Sequence, residues 1–372
     1  MQTTENSRTH EDTQRLTYGT IIIGGGQAGL AAGYFCKEAG QDFIILDAAM
    51  VTGDSWRARW DSLRLFTPAG VNGLPGMPFP GNPDYFPTKD EVADFLLSYK
   101  QKFHLPVLYG QGVTSVMHGP VGYQVRTANS IFFAHNVIVA TGAYHQPKIP
   151  SFSRDLNRSI KQVHSSRYTN AADLPTGDVL VVGAGTSGLQ IAMDLRADGR
   201  TVTVAGHPTP RIPDIILKYF QKPFLWFAGN VLTTRTPMGR KLAHAMKVEG
   251  KGAPLIRISM DEATKAGIRH VKRIAGQDNG MPITENGGKL DIVAIVWATG
   301  FTPDYSWLQL PGCVDQQGYP IADRGISVVH GLYFVGSTFQ YSLQSTWLGG
   351  IAPDARYVVR QLVKRQTDRR KP

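Results

Sequence analysis

A glycine pattern at the end of a β-branched run restricts this chain more than any other feature. Ile21, Ile22 and Ile23 lead into Gly24-Gly25-Gly26-Gln27-Ala28-Gly29, a Gly-x-Gly-x-x-Gly turn, and Leu30-Ala31-Ala32 can begin a helix. Strand, turn and helix in this order suit a dinucleotide. Gly24 permits the tight turn, Gly26 lets the backbone approach a pyrophosphate, and Gly29 lets helix and strand pack closely. Phosphate at the helix start is favoured by its free N–H groups and by the helix dipole. A second apolar run, Phe43 to Leu46, ends in Asp47, 18 residues after Gly29, close to the spacing of a carboxylate that takes ribose hydroxyls.

The theme recurs 159 residues later. Asp178-Val-Leu-Val-Val leads into Gly183-Ala184-Gly185-Thr186-Ser187-Gly188, then a helical stretch from Leu189 to Ala197 and a strand from Thr201 to Ala205. Two fingerprints predict an α/β chain with two Rossmann-like dinucleotide-binding domains. The simplest use is one for FAD and one for a nicotinamide dinucleotide. Asp47 suits the FAD ribose. The second site ends Val204-Ala205-Gly206-His207 with Arg211 shortly after, so no carboxylate repels a 2′-phosphate and His207 or Arg211 could contact one. NADPH is favoured, with NADH also acceptable. The expected division is a flexible 1–17, an FAD domain over 18–172 and 290–372, and an NAD(P)H domain over 173–289. Two strand ends share a sequence, Ala140-Thr141-Gly142 and Ala298-Thr299-Gly300.

Between these motifs, Thr88 can cap a helix through Glu91, Val92, Phe95, Leu96 and Tyr99, and the Pro/Gly-rich 70–87 reads as loop. Short strands are expected at 113–117, 123–126 and 130–133, a buried one from Val137, and a linker at Pro147 and Pro150. Trp347 to Asp354 opens the last helix, with Tyr357, Val358 and Leu362 facing inward. The stretch 212–247 is apolar, aromatic and basic. Core or dimer packing is its favoured reading, and a substrate-channel lining or membrane-surface contact is the alternative.

The formal charge of +10 raises the question of nucleic acid, but the basic residues are dispersed except at the 364–371 tail, and a phosphate-bearing cofactor is reason enough for a basic protein. Cys36 and Cys313 form no Cys-x-x-Cys, which argues against a disulfide framework or a thiol redox centre. The first fifteen residues are too polar for a secretory signal, and no apolar run approaches a membrane span, so a soluble cytoplasmic protein is expected. His104, His118 and His135 lack ligand spacing, and no metal is expected.

These residues together resemble the flavin-containing monooxygenase family, in particular its short bacterial members. The marks are Gly24 to Gly29, Gly53-x-Ser55-Trp56, His164-Ser165-Ser166-Arg167-Tyr168, Gly183 to Gly188 and the two Ala-Thr-Gly ends, covering roughly residues 18–360. In the family signature before the second fingerprint, His164 and Tyr168 match, while Arg158 and Ile160 replace its Phe and Gly. The resemblance implies FAD lying near Ser55, Trp56, Arg64, the 62–68 stretch and the Gly349-Gly350 helix start. It further implies hydride transfer from NADPH, a C4a-hydroperoxyflavin formed with O2, and oxygenation of a small sulfide or amine, or of a ketone in Baeyer–Villiger fashion. His164 would link the domains. Long members place an Asn after Ser/Thr near the flavin; here Thr67 and the displaced Asn72 are the catalytic candidates. A homodimer is a family-level expectation, with 212–247 as a candidate interface. Two other uses stay open on sequence: a reductase of a protein or quinone, and a non-catalytic redox sensor.

Overall fold

The computed structural model describes residues 16–250 and 252–369; of the expected lead-in only Leu16 and Thr17 fall inside that range, and Thr17 already opens a strand. That strand, β1 (Thr17–Ile23), is buried over its last four residues. Helix α1 (Gln27–Glu38) covers it with Leu30, Ala31, Ala32 and Cys36, and β2 (Phe43–Leu46) follows. β1 runs parallel to β2 and to the strand Ile131–Val139, placing Ile23 beside Leu46 and Val139. Leu332–Phe334 lies parallel on the far side of Ile131–Val139, so the chain returns to its first sheet near its end. The expected runs at 130–133 and from Val137 are one strand. Its first half alternates, because it belongs to an antiparallel meander with Val113–Gly119 and Gly122–Thr127. Its second half is buried on both faces, as a parallel strand must be.

Thr88 caps the helix Lys89–Lys102 as expected, in a capping box with Glu91. The 70–87 loop contains one short hairpin, Gly73–Leu74 with Met77–Pro78.

The second sheet is entirely parallel, in the order Lys161–His164, Ala294–Trp297, Val179–Val182, Val202–Ala205, Arg269–Val271. It draws strands from both sides of the 173–289 interval. Chain leaves the two sheets through matched glycines, Gly142 and Gly300, both at φ 80°. The connectors that follow, Gln146–Pro147 and Phe301–Thr302, pair antiparallel, so the two crossings between the units run side by side.

Residues 212–247 form the helices Asp214–Tyr219, Gln221–Asn230 and Pro237–Lys247. Ala228, Leu232 and Ala243 pack with Phe339, Leu343 and Trp347, which ties this excursion to the C-terminal part of the chain. The last helix spans Ala352–Arg369 behind the turn Leu348–Gly350; Val358 and Leu362 are buried, while Tyr357 is half-buried beneath Arg324. No helix among the described residues is long and apolar enough to cross a membrane.

Candidate functional site

The two glycine turns are copies of one another in space. Gly24 and Gly183 have φ 107° and 118°, and a Cβ on either would press into the carbonyl of the neighbouring strand end, Ala140 or Ala298. A Cβ on Gly29 would lie 1.8 Å from the Gly24 oxygen, and one on Gly188 equally close to the Gly183 oxygen. The middle glycines differ in kind, since a Cβ on Gly26 or Gly185 meets nothing within 4 Å. Neither α1 nor the helix Thr186–Ala197 has a side-chain cap or an acidic residue in its first turn. Each turn therefore leaves an open cradle against uncapped N–H groups, with Thr186 and Ser187 at the second, and both fit a pyrophosphate.

Asp47 ends β2 beside the first cradle, where a Cβ on Gly25 would touch its carboxylate at 2.4 Å. Burial raises its pKa above the ordinary value, while the Ala49, Gly25 and Ala48 amides oppose the shift. A carboxylate so placed can accept ribose hydroxyls. At the second cradle His207 is exposed just past Val202–Ala205, and Arg211 pairs with Glu262 at 3.3 Å.

Other candidate residues pack within the first unit or join it to the second. Gln27 reaches across from α1 and donates to the Thr346 carbonyl at 2.9 Å. Ala28 is buried where Gly336 approaches, so its small size is required. Gly53, at φ 98°, presses against Ala93 and starts the short helix Asp54–Arg57. Ser55 on it is exposed, whereas Trp56 packs against the cores of both units. Arg64 donates to Tyr85 Oη and the Phe86 carbonyl, and its own carbonyl accepts from Gln190 on the second fingerprint helix.

Thr67 and Asn72 are buried and bonded to each other. Thr67 Oγ1 donates to Asn72 Oδ1 at 2.9 Å, and Asn72 Nδ2 donates to the Thr67 and Pro68 carbonyls, both at 3.0 Å. The Asn72 amide thus closes its own loop, and reaching outward would break all three bonds. Gly349 and Gly350 are explained by packing: a Cβ would lie 1.9 Å from the Val71 oxygen and 2.4 Å from the Gln344 oxygen.

His164 ends the edge strand of the second sheet. Its Nδ1 takes the Ser166 N–H, so Nε2 carries the proton and donates to the Gly300 carbonyl at 3.0 Å. Its pKa is lowered mainly by burial; the Gly300 bond opposes this and the Arg59 charge adds to it. His145, which the sequence reading passed over, braces the other crossing: Nδ1 accepts from the Asp304 amide and Nε2 donates to the Gly142 carbonyl. Ser337 was also missed, and Gly336 was read only as the glycine that ends a strand from Gly331. Gly336 follows Leu332–Phe334 and approaches Ala28 at the first cradle, a position visible only once that distant strand is seen to join the first sheet. Ser337 shares a small cavity with His145, Phe301 and Tyr305.

The two cysteines lie in different cores, and burial pushes the Cys36 thiol up to about 12. They form no dithiol. Among the described residues no group of three His, Cys, Asp or Glu side chains gathers to hold a metal.

Residues 21–219 match the family described as pyridine nucleotide-disulphide oxidoreductase. The chain is 37% identical to an uncharacterised CzcO-like oxidoreductase of Geobacillus kaustophilus, over 92% of this chain and 97% of that protein. It is 26% identical to a probable indole-3-pyruvate monooxygenase, YUCCA4, of Arabidopsis thaliana, over 89% and 88% of the two. The structure of a flavin-containing monooxygenase from Stenotrophomonas maltophilia superposes with a TM-score of 0.77 at 27% identity, covering 94% of this chain and 99% of that one. Two matched cradles, a shared fold and these relatives agree: the chain belongs to the pyridine nucleotide-disulphide oxidoreductase family and is an oxidoreductase of its flavin monooxygenase branch.

Proposed function

We propose that the protein is an NADPH-driven, FAD-dependent monooxygenase that places one oxygen atom of O2 on a small organic molecule, at sulfur, at nitrogen or beside a carbonyl. The observation that carries this reading is the pair of open glycine cradles, joined through two connectors that lie side by side. The flavin monooxygenases of this family use FAD and NADPH. When bound, these cofactors supply hydride transfer and oxygen activation.

The chain's residues supply placement. Gly24, Gly26, Gly29 and the first turn of α1 hold the FAD pyrophosphate, and Asp47 takes the ribose hydroxyls. Gly183, Gly185, Thr186, Ser187 and Gly188 hold the NADPH pyrophosphate, with His207 and Arg211 at its 2′-phosphate; NADH is accepted less well. His145 and His164 hold the strand ends Gly142 and Gly300, and so fix one cradle relative to the other. Trp56, with Phe66 stacked edge-on against Trp347 at 5.4 Å, keeps water from the seam. Thr67 and Asn72 act as positioning residues by fixing the loop that carries Phe66. The protein works in the cytoplasm as a homodimer joined through 212–247.

Steady-state turnover tests the reading. The purified FAD-loaded protein should consume NADPH and O2 and convert a panel of sulfides, amines and ketones with about one product per NADPH. NADPH oxidation that yields only hydrogen peroxide across the panel, or electrons passed only to a quinone, would overturn it.

A further inference from the structure

Close to Trp56 in the chain lies a cation that no anion answers among the described residues. Arg57 pairs with Asp94 at 2.6 Å and also donates to the Thr52 carbonyl. Arg59, two residues on, is half-buried, and among the described residues its side chain has no hydrogen bond or ion pair. Its guanidinium lies over the Tyr144 ring, 5.3 Å from the centroid. Tyr144 packs on Phe301 at 5.1 Å, and Phe301 packs on His164 at 5.0 Å. Arg59 comes from the first unit, His164 ends a strand of the second, and Tyr144 and Phe301 belong to the two crossings. Four pieces of chain thus form a line of contacts that begins at one positive charge.

Withdrawing a cation from water is costly unless an anion answers it. Burial lowers the Arg59 pKa, and the charge is felt at His164, where it acts with burial to keep the imidazole neutral. A face-on tyrosine offsets only part of that cost. Cofactor phosphate is provided for elsewhere. The second cradle follows Val179–Val182 and His207 follows Val202–Ala205, whereas His164 ends the strand at the opposite edge of that sheet. The planar fork of an arginine matches a carboxylate in bidentate fashion.

We propose that Arg59 binds the carboxylate of an organic-acid substrate where the two units meet, with the Tyr144 and Phe301 rings receiving its apolar part. The fate of that acid rests on the monooxygenase reading, but its binding does not.

A matched pair of ligands tests this. Phenylpyruvate and phenylacetone differ by a carboxylate in place of a methyl group, and their affinities for the FAD-loaded protein can be read by calorimetry. Phenylpyruvate should bind about tenfold or more tightly than phenylacetone, the span of a charge-assisted contact. Arg59→Gln should bring the two together without changing phenylacetone or NADP+ affinity. Should that variant fold poorly, Arg59→Lys keeps the charge but loses the fork, and a reduced preference for the acid is expected. Equal affinities in the unaltered protein, equal weakening of both ligands, or loss of NADP+ affinity instead would overturn the proposal. Binding of phenylpyruvate through Arg59 with no oxygenated product from any substrate would defeat the function and leave this site standing. Sulfide oxygenation together with indifference of phenylpyruvate to Arg59→Gln would do the reverse.

Discussion

Gly26 and Gly29 sit three residues apart in one turn and answer to different constraints. A side chain at Gly29 collides with the Gly24 carbonyl, so Gly29→Ala should destabilise the fold by about 1–3 kcal/mol or more, read by thermal unfolding. A side chain at Gly26 meets no protein atom, so Gly26→Val should fold normally and yet emerge colourless, because its methyl groups fill the cradle. A yellow Gly26→Val protein with full FAD content would contradict the placement. Both constraints were legible in the sequence, since they follow from backbone geometry that holds for any strand–turn–helix of this kind. The role of Asn72 was not legible. Whether an amide faces a ligand or folds back on its own loop depends on the 67–72 turn, where Thr67 and two carbonyls satisfy it.

Among the elements, the segment from His164 to Tyr168 joins three parts of the molecule. His164 reaches Gly300, and Tyr168, fully buried, donates to Asp194 on the second fingerprint helix at 2.7 Å. Tyr168→Phe keeps the packing and removes that bond, for a loss of about 1–3 kcal/mol in chemical denaturation. For His164 the pKa lies below the usual 6.5 in the folded protein, so the unfolded chain binds more protons at mildly acid pH. Stability from this group is complete above about pH 6.5 and declines as pH falls through the folded value; His145 acts in the same sense. Replacing His164 with Gln should flatten that decline in a series of melts from pH 5 to 8. Arg59→Gln should move the His164 titration upward by NMR, since one downward influence is gone. The long elements were readable because caps and periodicity are local signals, as at Thr88 and Glu91. Lys161–His164 was not, because four residues with three polar ones read as strand only once Ala294–Trp297 lies alongside.

At the scale of the whole molecule, 212–247 was half legible. Its apolar residues forecast packing, and Ala228, Leu232 and Ala243 do pack on the C-terminal chain. Ile215, Tyr219, Phe220 and Trp226, by contrast, are between 56% and 67% exposed. Such a patch on a homodimer interface would be buried by the partner copy. Light scattering on the purified protein should give twice the chain mass, and Trp226→Glu should shift it toward the monomer; a unaltered protein that stays monomeric at high concentration contradicts that assembly. The central claim, that two cradles held by paired connectors serve oxygen transfer, is tested most directly with isotope. Turnover of a sulfide with NADPH under 18O2 should place one labelled oxygen in each product molecule, with about one NADPH consumed per label. Product formed without label, or label found only in peroxide, would contradict the account.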